Sequence, residues 1–138
     1  MLEFNLFLID YWYFSVPLFF FIFLFAYSEM NKGGKKIEPN ELTRLVNKES
    51  AILIDLRKKE EYENGHIMTA LNYPHQEFDN QMHELEKFKD RPIILVCDMG
   101  RNSANIGEKL KKAEFEKTFR LNGGMMTWTQ ENLPIVQK

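Results

Sequence analysis

The chain has 138 residues, with 18 Lys and Arg against 20 Asp and Glu and 44% hydrophobic residues. That is room for one domain of ordinary size. Charges so nearly balanced provide no basic face to displace the counterions around phosphates, which excludes DNA and RNA as partners. The single cysteine, Cys97, excludes an intramolecular disulfide framework. His66, His75 and His83 stand too far from it in sequence for a zinc-ligand spacing, so neither a metal nor a cofactor is expected.

Two compositions are joined in the chain. Eight of the twelve Phe and one of the two Trp fall in residues 1–29, which hold no Lys or Arg and only Glu3, Asp10 and Glu29 as acids. From Tyr11 to Tyr27 the sequence YWYFSVPLFFFIFLFAY carries no charge, and Leu6 to Ile9 can extend it. At 1.5 Å per residue this predicts a transmembrane helix over about 8–27. Pro17 is tolerated in such a span, and Tyr11, Trp12, Tyr13 and Tyr27 stand where interfacial aromatics are expected. Acids precede the segment, whereas Lys32, Lys35 and Lys36 follow it. The positive-inside bias therefore predicts a single-pass inner (cytoplasmic) membrane protein whose C-terminal domain faces the cytoplasm. The alternative is export after cleavage near Ser28, but the first ten residues lack the basic n-region of a signal peptide. Residues 1–29 are read as the anchor, 30–37 as a basic linker and 38–138 as the folded domain.

Within that domain, short helical signals alternate with apolar runs. Pro39, Leu42, Leu45 and Val46 predict a helix over 39–48, and Ala51 to Ile54 a buried strand. Lys58 to Glu63 reads as a helical turn ended by a C-cap at Asn64-Gly65, and Leu71 to Pro74 as a short extended piece. Phe78, Met82 and Leu85 have helical spacing within 76–88. Pro92 to Val96 is the strongest strand, an unbroken apolar run suited to a position covered on both faces. A helix over 103–114 points Ile106 and Leu110 inward, Phe119 and Leu121 mark a last strand, and Gly123-Gly124 opens a final helix with Trp128. Strands alternating with helices predict an α/β fold with a central parallel sheet and helices on both faces.

Cys97 ends the strongest strand and is followed by Asp98, Met99, Gly100, Arg101, Asn102 and Ser103, then a helix. Open α/β sheets bind ligands at the carboxyl ends of their strands. A tight loop there directs backbone N–H groups inward and the helix adds its positive end, a nest that favours negative charge on a thiol placed in it. Gly100 lets the backbone turn, and the planar guanidinium of Arg101 suits a substrate oxyanion.

Three ordered motifs carry a family resemblance. Asp55-Leu56-Arg57 with Glu61-Tyr62 and Gly65-His66-Ile67, then Cys97 with Gly100 and Ser103-Ala104, then Leu121 with Gly123-Gly124 and Trp128 resemble the signatures of a single-domain rhodanese, over about 38–135. The resemblance implies a rhodanese-like three-layer sandwich. It also implies a sulfurtransferase in which Cys97 takes sulfane sulfur from a small donor, thiosulfate or a persulfide, and passes it to a thiol or cyanide acceptor. Residues 98–103 would bind the substrate. The family usually carries its Arg directly before the Ser; here Asn102 holds that place and Arg101 stands one residue earlier. That shift, together with Asp98, bears on donor preference, because thiosulfate is a dianion. Phosphatase-type loops with Arg six residues after the cysteine are disfavoured, since that position is Ser103. Asp55, Arg57 and His66 are read as structural, and Tyr62 and Trp128 as core. A non-catalytic rhodanese-like module that recruits a protein partner to the membrane is the competing reading.

Overall fold

The computed structural model describes residues 1–30, 33–98 and 101–137, with Met30 and Arg101 described by their backbone. The chain divides into two compact units, Met1–Asn31 and Lys32–Lys138. In the first, α1 (Leu2–Asp10) is followed by α2 (Trp12–Met30). The uninterrupted span expected over 8–27 is thus broken at Tyr11, whose φ of −113° and ψ of 35° leave the helical region. The break falls at charged Asp10 and the aromatic run Tyr11 to Tyr13, side chains that lose rotamer freedom in a helix. Phe7 and Tyr11 pack across it with ring centroids 5.0 Å apart. Trp12–Glu29, with a mean hydropathy of 1.4, is long and apolar enough to cross a membrane. Pro17 lies within α2 and deprives the Tyr13 carbonyl of its usual intrahelical donor.

The second unit is built on a five-stranded parallel sheet. Its elements are β1 (Lys35–Ile37), α3 (Pro39–Lys48), β2 (Ile52–Asp55), α4 (Lys59–Asn64), β3 (Leu71–Asn72), α5 (Phe78–Gln81), β4 (Ile93–Val96), α6 (Arg101–Lys112), β5 (Thr118–Leu121) and α7 (Gly124–Gln130). The strand order is β1-β5-β4-β2-β3, and every pairing is parallel. This is the rhodanese-like α/β architecture expected from the motifs, with an additional strand.

Successive strand residues point to opposite faces, so an unbroken apolar run implies two covers. Ile94 and Val96 of β4 pack on one side with Leu42 and Leu45 of α3 and with Met125 and Trp128 of α7. Ile93, Leu95 and Cys97 pack on the other with Phe78 of α5, Leu85, and Ile106 and Leu110 of α6. All four residues of β4 are 1% exposed or less, which places the strand carrying Cys97 at the centre of both cores.

Two expectations for this unit are corrected. The helix read over 76–88 is a 3₁₀ turn (His75–Glu77), α5, and a second 3₁₀ segment (Met82–Phe88). Phe78 and Leu85 are nevertheless completely buried; an i, i+7 pair can be satisfied by tighter turns that still face one way. Helix α4 ends at Asn64 with Gly65 as its C-cap, as expected, the Gly65 N–H donating to the Tyr62 carbonyl at 3.2 Å from extended backbone with φ of 165°. The linker read over 30–37 ends in β1, which pairs Lys35 with Phe119 and Ile37 with Leu121. Asn31 and Lys32 of that linker lie outside the described residues.

Strand β1 is held by contacts with α6 that its short, lysine-rich sequence does not advertise. The Gly33 N–H donates to Glu108 Oε1 at 2.7 Å. Gly33 and Gly107 meet so closely that a Cβ on Gly107 would lie 1.8 Å from the Gly33 carbonyl oxygen. Gly107→Ala is therefore expected to push residues 33–34 off α6 and cost about 1–3 kcal/mol, the usual range for overpacking, read as a lowered denaturant midpoint.

Candidate active site

Each motif residue has a local physical reason for its place. Where β2 ends, Asp55 is 1% exposed. Its Oδ2 accepts from Arg57 Nη2 at 2.9 Å, and its Oδ1 accepts the Arg57 backbone N–H at 3.0 Å. Arg57 Nη2 also donates to the Gly65 carbonyl at 2.6 Å. Asn72 Nδ2 donates to the Arg57 carbonyl at 2.9 Å, so strand β3 is tied to the same knot. His66 is buried; its Nδ1 lies 2.7 Å from the Tyr62 carbonyl and its ring stacks on Tyr62 at 3.8 Å. The Tyr62 hydroxyl donates to the Ala70 carbonyl at 2.6 Å, and burial, with the field of Asp55 added, pushes its pKa above the ordinary value. These residues fix the loops at the carboxyl ends of β2 and β3, and Asp55 and Arg57 spend their charges on each other.

Val96 ends β4, Cys97 follows it at 3% exposure, and Arg101 opens α6. The return of the chain braces this turn: the Met125 N–H donates to the Cys97 carbonyl at 2.7 Å and the Met126 N–H to the Asp98 carbonyl at 3.0 Å. Both donors come from the first turn of α7, whose N–H groups have no partner within the helix. Gly124 makes the approach possible. It sits at φ +59°, and a Cβ there would lie 2.1 Å from the Cys97 carbonyl oxygen. The Gly123-Gly124 signature is thus the means by which α7 holds the cysteine loop.

Of the residues expected to bind substrate, Asp98 and Asn102 are exposed and Ser103, in the first turn of α6, is 1% exposed. Met99 and Gly100 lie outside the described residues, as does the Arg101 side chain. Among the described residues, no group of three or more His, Cys, Asp or Glu side chains could hold a metal ion. A cleft of about 480 Å³ opens at the carboxyl ends of β2 and β3, lined by Lys58, Lys59, Asn72, Pro74, Gln76 and Gln81 among others.

One group near the cysteine escaped the sequence reading. Arg120 of β5 is only 5% exposed and pairs in register with Leu95, which shares a sheet face with Cys97. Its Nε donates to the Gly34 carbonyl at 3.2 Å. Burial pushes the guanidinium below its ordinary pKa, while Cys97 and then Glu108 pull it back. The available signal was an arginine between Phe119 and Leu121 in a strand covered on both faces, where neither orientation reaches water.

The comparisons with known proteins fit this geometry. The rhodanese-like domain family matches residues 38–131. The chain is 35% identical over 123 residues to the uncharacterized protein YibN of Escherichia coli (strain K12), covering 88% of this chain and 86% of that one. That similarity is longer than region 38–131 can supply, so it extends beyond the matched domain. The chain is 28% identical over 98 residues to the thiosulfate sulfurtransferase GlpE of Shewanella oneidensis, covering 71% of this chain and 95% of that one. A rhodanese-related protein from Thermoplasma volcanium shares the fold at a TM-score of 0.68 and 24% identity, over 75% of this chain and 99% of its own. A match over residues 38–131, on a parallel sheet with Cys97 at the carboxyl end of its central strand, shows that the chain belongs to the rhodanese-like family.

Proposed function

We propose that the protein is a membrane-anchored rhodanese-type sulfurtransferase with Cys97 as its sulfur carrier. The observation that carries this reading is the position of the only thiol in the chain, at the end of β4 and the start of the turn into α6, braced by the amides of Met125 and Met126. The likeness to GlpE supports the reaction class.

In the proposed cycle the Cys97 thiolate attacks the outer sulfur of thiosulfate. A Cys97 S–S bond forms, the donor's S–S bond breaks, and sulfite leaves with the electron pair. Cyanide or a thiolate acceptor then attacks the terminal sulfur of the persulfide, and the electron pair of the broken bond returns to Cys97. Two half-reactions on one nucleophile imply ping-pong kinetics. The backbone amides of 98–103 and the start of α6 supply positive potential for the anionic states. Arg101 is assigned the sulfonate end of the donor, offsetting Asp98. The same chemistry accommodates a persulfide donor, which carries less charge.

Segment Trp12–Glu29 is proposed to cross the inner membrane, with the domain that follows in the cytoplasm because Lys35 and Lys36 lie on its C-terminal side. The extension of the YibN similarity beyond the matched domain supports a role for residues outside it. Cell fractionation should find the full-length chain, N-terminus intact, in the membrane fraction. A mature form beginning near Glu29 in an exported soluble fraction would refute the anchor.

Cys97→Ser should abolish thiosulfate-to-cyanide sulfur transfer with the circular dichroism spectrum unchanged. Wild-type protein incubated with thiosulfate should gain about 32 Da, one sulfur, on the Cys97 peptide. A folded wild type with neither activity nor adduct would instead favour a partner-recruiting module. Arg101→Ala should lower kcat/KM for thiosulfate roughly tenfold to a hundredfold, chiefly through KM, the scale of one charge-assisted hydrogen bond. An unchanged kcat/KM would place the anion on the loop amides alone.

A further inference from the structure

A buried guanidinium is expensive to keep in a protein core unless an anion faces it. Arg120 is held in such a place on β5, one strand away from the cysteine strand. Leu95 is its register partner, and Leu95 and Cys97 point to the same face, into the layer formed with Ile106 and Leu110 of α6. Two groups able to carry negative charge act on the guanidinium, Cys97 more strongly than Glu108. Glu108 also binds the segment before β1, its Oε1 accepting the Gly33 N–H at 2.7 Å. Asp98, the other acid beside the sulfur in sequence, is exposed to solvent. The arginine itself is oriented from the far side, where its Nε donates to the Gly34 carbonyl.

We propose that Arg120 is the positioning cation of the site, a buried counter-charge from beneath the sheet end for the anionic sulfur of Cys97, both as thiolate and as persulfide. Arg120 is carried by the strand next to β4, an element separate from the helix α6 that follows the cysteine turn. Gly33 and Gly34 acquire a role in the chemistry: they bring a carbonyl to Arg120 and an N–H to Glu108. The residues leading into β1 therefore set the orientation of a charge that acts on the nucleophile. Sulfur transfer leaves the site anionic before and after each half-reaction, so a permanent cation at this depth serves the whole cycle.

The proposal rests on Cys97 being the reactive sulfur, yet it is tested without any sulfur donor, so failure of the transfer assay and failure of the counter-charge are separate results. The first measurement is the rate at which Cys97 reacts with iodoacetamide, a neutral alkylator, at neutral pH, read beside the ultraviolet thiolate band. Arg120→Met should slow alkylation roughly tenfold and diminish the band, since an opposite charge favours the ionised form of its neighbour. Arg120→Lys should restore most of both. A folded Arg120→Met that alkylates as fast as wild type overturns the proposal, and so does a folded Arg120→Lys as slow as Arg120→Met, because the charge was kept.

A second comparison keeps Arg120 in place and decides the matter if Arg120→Met fails to fold. Cys97→Asp and Cys97→Asn are nearly isosteric and differ in charge. A site built around a buried cation should give Cys97→Asp the higher melting temperature at neutral pH, by a few degrees. Equal melting temperatures, or a higher one for Cys97→Asn, overturn the proposal.

Discussion

Everything at the proposed active site depends on how the end of β4 is held. A strand that delivers a nucleophile must stop at a defined point, and the residues after it must keep their carbonyls satisfied without a neighbouring strand to satisfy them. Here α7 does this, by turning the free N–H groups of Met125 and Met126 onto the carbonyls of Cys97 and Asp98. A helix start has such donors to spare, and a carbonyl at the end of a strand needs one. The contact is close enough that only glycine fits at 124, and its positive φ points the same way. A segment more than twenty residues downstream thus fixes the backbone of the cysteine turn.

A second constraint works from the opposite side of β4. The Asp55 and Arg57 pair, with the Gly65 carbonyl and the Asn72 amide, ties together the chain leaving β2, the turn after α4 and strand β3. The carboxylate and guanidinium are both largely buried, a costly arrangement made tolerable by a satisfied network of hydrogen bonds. The pair therefore acts on loop geometry. The charges proposed to act on the sulfur come from elsewhere, from the start of α6 and from Arg120. The consequence for chemistry is a division of labour: Asp55 and Arg57 are neutralised by each other, whereas the buried cation on β5 is the one proposed to serve the cysteine.

The chain also joins an apolar helix to this domain through residues that take part in the fold. Gly33 and Gly34 pack against Ala104 and Thr118, and β1 adds an edge strand whose two exposed lysines guard it against further pairing. The passage from the proposed anchor to the sheet is therefore structured from Gly33 onward, so the domain begins a few residues earlier than the matched family region.

How much of this could be read beforehand depended on which physical signal each feature leaves in sequence. Helix α3 was legible to the residue because Pro39 starts it and Leu42, Leu45 and Val46 repeat at helical spacing. Strand β4 was legible because four consecutive apolar residues can be buried only between two covers. The motif spacing was sufficient to recognise the rhodanese-like family and to single out Cys97. Tertiary structure alone decided the rest, since the deciding interactions join residues distant along the chain. Strand β1 is too short and too charged to show alternation, and exists because β5 offers it an edge. Residues 76–88 take tighter turns than their spacing suggests, because the core asks only that Phe78 and Leu85 face it. Arg120, flanked by Phe119 and Leu121 in sequence, becomes a buried charge because β5 is an inner strand of a sheet covered on both faces. Spacing determines which residues can share a face; the assembled sheet determines which of them face each other.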